Sequence, residues 1–145
     1  MSGTFMGRFE NSITNRRVSI PLTFRKLLSP ESGMQLVAVR GRLNTIYIFP
    51  LDSWKNLEAK LANGTDEEKE LLRKFRFYAT ALSIEGPGRI LLPKTLLNIS
   101  NINNKVIFLG EGNFFSIWNL ESFKKYETEV NKEYDAVLQR NQNIL

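Results

Sequence analysis

The sequence predicts an α+β protein that is mainly β, in which two tandem β-α-β units exchange hairpins to form one pseudo-dimeric barrel with peripheral helices. The first observation is an internal repeat: the run Arg17-Val18-Ser19-Ile20-Pro21 returns as Arg89-Ile90-Leu91-Leu92-Pro93. The second is that segment 48–55 returns in the same order as segment 117–124. A repeat identifies the unit of folding. A unit of about 50 residues buries too little surface to be comfortably stable alone, so we expect the two copies to pack together.

Each copy begins with two short strands joined by a turn. β-Branched and aromatic runs between turn residues favour strands. Proline lacks the backbone donor that a sheet ladder needs, so Pro21 and Pro93 should end the second strand and begin a short helix. The predicted strands are 9–13 and 18–20 in copy one and 77–84 and 90–92 in copy two, with turns at Thr14-Asn15-Arg16 and Gly86-Pro87-Gly88.

Each copy continues with a short helix and a second pair of strands. A small insertion at residues 29–33 accounts for the change in repeat spacing. Glycine and asparagine supply turn chemistry between the later strands. The predicted helices are 23–28 and 95–98, and the predicted strands are 35–40, 45–49, 105–109 and 114–118.

Each copy ends in an amphipathic helix. Apolar residues of the first fall at helical spacing from Leu51 to Leu61, and Thr65-Asp66-Glu67-Glu68 is a capping box that opens a connecting helix. In the second helix, capped by Asn119, an apolar stripe runs from Leu120 to Leu138, and its part from Tyr126 to Leu138 forms either core or a subunit contact. Residues 139–143 read as a frayed or disordered tail. The expected organisation is unit 1 at 7–54, a helical connector at 55–76, unit 2 at 77–123 and a C-terminal helix and tail at 124–145.

The residue inventory argues against catalysis. The 145 residues include no cysteine and no histidine, so thiol nucleophiles, histidine triads and the commonest metal ligands are absent. Neither an Asp-rich metal loop nor a phosphate-cradling glycine motif occurs. We therefore expect no enzyme activity, catalytic residue, metal or cofactor. The chain has no apolar run long enough to span a bilayer and no secretory start, so we expect a cytoplasmic protein without a membrane partner.

Positive charge is concentrated near the N-terminus. The formal net charge is +5, and the segment from Arg8 to Lys26 contains five basic residues but only one acid, Glu10. A basic cluster is typical of a nucleic-acid-binding surface. A solvated basic surface is the alternative, and charge alone does not separate the two.

The second copy carries a motif that resembles a known family. Its run Glu85-Gly86-Pro87-Gly88-Arg89, followed by Ile90-Leu91-Leu92-Pro93, resembles the turn of swapped-hairpin transcription factors of the AbrB type. The duplicated arrangement with its two helices resembles the MraZ family. That resemblance implies ring-shaped homo-oligomers in the nucleoid. It also implies binding to double-stranded promoter repeats upstream of the bacterial division and cell-wall gene cluster, transcriptional regulation, and no small-molecule substrate.

The family's DNA-contacting motif is Asp-x-x-x-Arg, usually with glycine before the arginine. In unit 2 the resemblance assigns it to Glu85, Gly88 and Arg89. In unit 1 only Arg17 matches fully. Ile13 occupies the acid position, while Asn15 and Arg16 stand where lysine and glycine are common. Arg16 is expected to strain the turn, which Asn15 could carry instead.

These residues suggest how DNA would be contacted. A paired β-ribbon can enter the major groove, where Arg17 and Arg89 address guanine edges or grip phosphates. Asn15, Arg16, Arg25 and Arg8 would position the DNA backbone. Alternatively, Arg89 is an ordinary exposed turn residue or pairs with Glu85.

The sequence leaves one alternative function open, and it favours a structural role for the large aromatic residues. Because Ile13 cannot orient an arginine, the alternative function is an oligomeric scaffold that has lost specific DNA binding. The large aromatic residues favour core packing over base stacking; they are Trp54, Phe108, Phe115, Trp118 and Phe123.

Overall fold

The computed structural model describes residues 2–30 and 33–145, so Glu31 and Ser32 of the predicted insertion lie outside the described residues. The strands are β1 (Arg8–Thr14), β2 (Arg17–Ser19), β3 (Gln35–Arg40), β4 (Ile46–Pro50), β5 (Thr80–Ser83), β6 (Arg89–Leu91), β7 (Lys105–Gly110) and β8 (Phe115–Asn119). The helices are α1 (Leu22–Arg25), α2 (Leu51–Ala62), α3 (Asp66–Tyr78), α4 (Lys94–Ile99) and α5 (Leu120–Arg140), with short 3-10 helices at Arg42–Asn44 and Gln142–Ile144.

The two units exchange strands, as the repeat predicts. The sheet order is β5-β3-β4-β8-β7-β1-β2-β6, and all its pairs are antiparallel. Strand β1 of unit 1 pairs with β7 of unit 2, while β5 of unit 2 pairs with β3 of unit 1. A bridge between Glu85, which lies just beyond β5, and Arg89 of β6 holds the two outermost strands close together, so the barrel is nearly closed. The predicted swapped-hairpin α+β fold is confirmed.

The main hydrophobic core is shared by both units. Phe24 of α1 is fully buried, and its ring centroid lies 5.1 Å from that of Phe115 and 6.5 Å from that of Phe108. The ring of Phe5 lies 5.4 Å from Phe24 in an edge-to-face arrangement. Because a unit 1 helix packs on unit 2 strands, neither unit can unfold without exposing the core of the other. The five large aromatics predicted to be core residues are all buried.

The predicted helix caps are confirmed. The Thr65 hydroxyl accepts from the Glu68 backbone N–H at 3.1 Å, and the Glu68 carboxylate accepts from the Thr65 N–H at 3.0 Å. The Asn119 side chain accepts from the backbone N–H groups of Glu121 and Ser122. These bonds satisfy donors that a helix start leaves unpaired.

The acid at the start of α2 also ties down the N-terminal segment. Asp52 accepts hydrogen bonds from the backbone N–H and the hydroxyl of Ser2, at 2.9 and 3.1 Å, and from the Ser29 hydroxyl at 3.1 Å. Burial would raise the pKa of Asp52, but these hydrogen bonds outweigh burial and lower it. Asp52 is therefore an anchor as well as a favourable charge at a helix N-terminus.

Two predictions about local structure are wrong. The strand predicted at 77–84 covers only Thr80–Ser83, because α3 continues to Tyr78. Leu72 of α3 is buried and Phe75 packs on the cluster that contains Trp54, so packing extends the helix through an aromatic segment of strand-like composition. The tail is not frayed: α5 reaches Arg140 and the 3-10 helix follows it.

Candidate nucleic-acid interface

Strands β2 and β6 form a short two-stranded ribbon, which we call the arginine ribbon. Opposed residues in an antiparallel pair project to the same face, and successive residues alternate. Val18 and Ile90 are buried beneath the ribbon, so their neighbours along each strand face outward. The register pairs Arg17 with Leu91, Val18 with Ile90 and Ser19 with Arg89.

The two motif arginines are related by an internal twofold centred on the Val18–Ile90 pair. Arg17 and Arg89 are diagonal neighbours on the outward face, a relation that places Cα atoms about 7–8 Å apart. Both side chains are exposed. The structure therefore brings one arginine from each unit into a single exposed patch. Sequence reasoning did not include Ser19 on this face, although strict alternation around Val18 would have placed it there.

Tip 1, the turn Asn15–Arg16 between β1 and β2, is a two-residue loop. Thr14 pairs with Arg17, and both loop residues are left-handed, with φ of 51° at Asn15 and 63° at Arg16. Such a pair matches the type I′ hairpin turn, whose second position favours glycine. Asn15 thus does not carry the turn alone, and Arg16 is strained as predicted.

Replacing Arg16 with glycine should stabilise the fold. Relief of the left-handed strain, about 1–2 kcal/mol, exceeds the roughly 0.4–1 kcal/mol of chain entropy that glycine adds to the unfolded state. We expect Arg16→Gly to raise the free energy of unfolding by about 0.5–1 kcal/mol, measured by urea denaturation. Arg16→Ala is the control, because it keeps a Cβ in the left-handed conformation and should give no such gain. Equal stability changes in both variants would contradict the strain argument.

Tip 2, the turn Gly86–Gly88 between β5 and β6, is a three-residue loop. Glu85 and Arg89 close it through backbone hydrogen bonds of 2.7 and 2.9 Å. Gly88 has φ of 127°, a conformation that side chains rarely adopt, and a Cβ there would collide with the side chain of Arg25. The backbone conformation therefore requires glycine at position 88, and a side chain there would also displace the Arg25 side chain, so Gly88 supports the shape of the tip.

Arg25 braces tip 2 from the other unit. Its guanidinium donates to the Pro87 carbonyl and, through Nε, to the Ile20 carbonyl at 3.0 Å. The side chain is half-buried. Its repeat equivalent is Leu97, which is buried, so tip 1 has no such brace. This role was missed, although the mismatch between Arg25 and Leu97 in the repeat was a visible signal.

The two tips differ in loop length, and this difference decides where the residue at the acid position of each unit lies. Because tip 1 is one residue shorter, Ile13 pairs with Val18 and points into the core, with 6% of its surface exposed. The side chain of Glu85 lies beside the arginine of the other unit: its Oε2 is 3.9 Å from Nε of Arg17. Unit 1 therefore lacks an acid of its own but has the acid of unit 2 next to its arginine.

Arg8 lies apart from the ribbon. It pairs with Leu109 at the end of β1 opposite tip 1. Its guanidinium forms an ion pair with Glu127 and lies 5.9 Å from the centroid of the Phe123 ring. The structure thus groups Asn15, Arg16, Arg17 and Arg89 around the ribbon, gives Arg25 and Gly88 supporting contacts, and separates Arg8.

Residues 2–30 and 33–145 contain neither a candidate metal site nor a candidate membrane-spanning helix. No group of three or more acidic, histidine or cysteine side chains there is arranged to hold a metal ion. Within the same ranges, no helix combines the length and apolar character needed to cross a membrane.

Comparison with known proteins gives consistent matches. Residues 77–143 match the family model described as "MraZ protein, putative antitoxin-like". A "Transcriptional regulator MraZ" of Thermoanaerobacter sp. is 32% identical over 136 residues, covering 91% of this chain and 92% of that protein. Proteins of the same name from Caldanaerobacter subterraneus and Clostridium tetani are 30% and 29% identical, covering 96% and 94% of this chain and 97% and 95% of their own lengths.

Proposed function

This chain belongs to the MraZ family, and on that premise we propose that it is a sequence-specific double-stranded DNA-binding transcriptional regulator. The observation that carries the proposal is the placement of Arg17 and Arg89 as exposed neighbours on the arginine ribbon. The names of the matched relatives, all transcriptional regulators, support the same function.

In this proposal the arginine ribbon enters the major groove. Arg17 and Arg89 make two-pronged hydrogen bonds to guanine edges or grip phosphates. Asn15 and Arg16 at tip 1 contact the phosphate backbone and set the register. Arg25 and Gly88 hold tip 2 in shape, so they support binding through their contacts with Pro87 and with each other.

Assembly and target complete the proposal. One ribbon offers few contacts and binds weakly, whereas several ribbons on a ring-shaped homo-oligomer can engage successive DNA repeats at high effective concentration. The proposed targets are promoter repeats upstream of the bacterial division and cell-wall gene cluster, reached by a cytoplasmic, nucleoid-associated protein. The test is a gel shift with DNA from upstream of its own gene, competed with unrelated duplex. Specific retention supports a regulator, whereas equal competition by both duplexes supports a scaffold without sequence preference.

The contact between units predicts an energetic coupling between Glu85 and Arg17. Exposed ion pairs contribute about 0.2–1 kcal/mol. The binding free energy that Arg17→Ala removes should therefore be smaller by that amount in the Glu85→Gln background than in the wild type. The measurement is a double-mutant cycle on DNA affinity by fluorescence anisotropy. The matched cycle uses Arg89→Ala with Glu85→Gln and should show additivity. Coupling to Arg89 without coupling to Arg17 would contradict the assignment.

A further inference from the structure

The repeat places equivalent apolar clusters on the outer faces of the two units. In unit 1 the cluster consists of Val37, Val39, Phe49 and Trp54. Their counterparts in unit 2 are Ile107, Leu109 and Trp118, which hold the same places in the strand register, and Phe123, which holds the same place in the repeated helix. Equivalent strands and an equivalent terminal helix supply both clusters, so the elements that cover the two clusters can be compared directly.

In unit 1 the cluster is covered by helix α3. The ring of Phe75 lies 6.5 Å from Phe49 and 6.3 Å from Trp54. Leu61 of α2 and Leu72 of α3 are both buried. The connecting helix thus seals the apolar side of α2 by placing an aromatic ring into the cluster.

In unit 2 no described helix occupies the corresponding place. Tyr126 and Val130 are the repeat equivalents of Leu57 and Leu61, yet each is 38% exposed. Farther along α5, Tyr134, Val137 and Leu138 are also exposed. Beside them lies a groove of about 600 Å³, lined in part by Leu43, Trp118 and Tyr126. We call this groove, together with the exposed apolar stripe of α5 from Tyr126 to Leu138, the α5 groove.

We propose that the α5 groove is filled by helix α3 of a second copy of this chain, with Phe77 as the inserted aromatic residue. Phe77 is 79% exposed although it is a large apolar side chain, and Leu71 on the same helix is also exposed. Both line a surface depression on α3 together with Arg73 and Lys74. Helix α3 would then cover α2 of its own chain with one face and α5 of a neighbouring chain with the other.

The charge of the two surfaces also favours α3 over a second α5. Helical spacing places Glu129 and Glu133 along the edge of the apolar stripe of α5, where Glu129 pairs with Lys132 and Lys125 also lines the groove. The depression on α3 is bordered by four basic residues against the single acid Glu70, which pairs with Lys74. An α3–α5 contact brings the basic border of α3 to Glu129 and Glu133, whereas an α5–α5 contact joins two surfaces of mixed charge without such an excess of opposite charge.

The proposed contact is head-to-tail, because one face of a chain meets a different face of the next. Such contacts propagate into closed rings or open filaments. The inference deepens the proposed function and rests on its assembly, since it names the surfaces by which a ring would close. It does not depend on DNA binding, because the arginine ribbon takes no part in the contact.

The test uses two interface variants that break opposite faces of the contact. Phe77→Asp disables the α3 face and Val130→Asp disables the α5 face; both positions are exposed, so the fold should survive, which circular dichroism checks. Measured by light scattering after size exclusion without DNA, the wild type should be a multimer and each variant a monomer. An equal mixture retains one intact contact, and it should form a dimer that cannot grow.

Gln139→Asp is the control, because it adds the same charge on the opposite side of α5 and should keep the wild-type size. A monomeric wild type, interface variants of wild-type size, or loss of assembly in Val130→Asp alone would overturn the proposal. The last result would indicate an α5–α5 contact. Arg17→Ala and Arg89→Ala should leave the assembled size unchanged, so failure of the interface and failure of DNA binding can be told apart.

Discussion

The double substitution Arg17→Ala with Arg89→Ala should abolish detectable binding to DNA from upstream of the chain's own gene. Each guanidinium that reads a base contributes about 1–3 kcal/mol, and its removal from every ribbon of a multimer compounds through effective concentration. Each single substitution should weaken binding and lower the slope of log affinity against log salt by about one for each phosphate that is no longer bound. Gel shifts at several salt concentrations measure both effects.

The matched control for this experiment is Lys55→Ala with Lys124→Ala. These lysines are repeat equivalents, are exposed on α2 and α5, and carry the same total charge. The control should bind almost as well as the wild type. If both double variants lose the same affinity, net charge rather than the arginine ribbon drives binding, and the proposed site is wrong.

Replacing Phe24 with alanine should destabilise the whole chain by about 3–5 kcal/mol. Phe24 lies at the centre of an aromatic cluster with Phe5 and Phe9 from the N-terminal part of the chain and Phe108 and Phe115 from unit 2. Because the core is shared, both units should unfold together in a single transition at lower urea. Far-ultraviolet circular dichroism and tryptophan fluorescence, which reports on Trp54 and Trp118, measure this transition.

The control for Phe24 is Leu22→Ala on the same short helix. Leu22 is exposed, and exposed substitutions usually change stability by less than about 0.5 kcal/mol. Two separate transitions in Phe24→Ala, with unit 2 unaffected, would contradict a core shared through exchanged hairpins.

Much of this arrangement could be predicted from the repeat alone. Matching Arg17 with Arg89 and Pro21 with Pro93 locates both hairpins, and the small size of each copy favours mutual packing. Periodicity likewise predicts α2 and α5. Capping chemistry at Thr65 needs only local residues, which is why it was predictable in detail.

The remaining features depend on contacts between distant residues. The partner of Glu85 could not be predicted, because the resemblance pairs an acid with the arginine four positions later, while the register brings Glu85 to Arg17. The brace from Arg25 to Pro87 likewise joins different units. The aromatic composition around Phe77 favours a strand, whereas the packing of Leu72 and Phe75 extends the helix through Tyr78.

The most direct test of the arginine ribbon uses the absence of cysteine from the chain. A single cysteine introduced as Asn15→Cys or Pro87→Cys can carry a photoreactive group at one tip only. We predict that both tips cross-link to the upstream duplex and that the same group at Lys55→Cys does not. Cross-linking at Lys55→Cys with none at either tip would contradict the central claim that the two hairpins form the DNA-contacting surface.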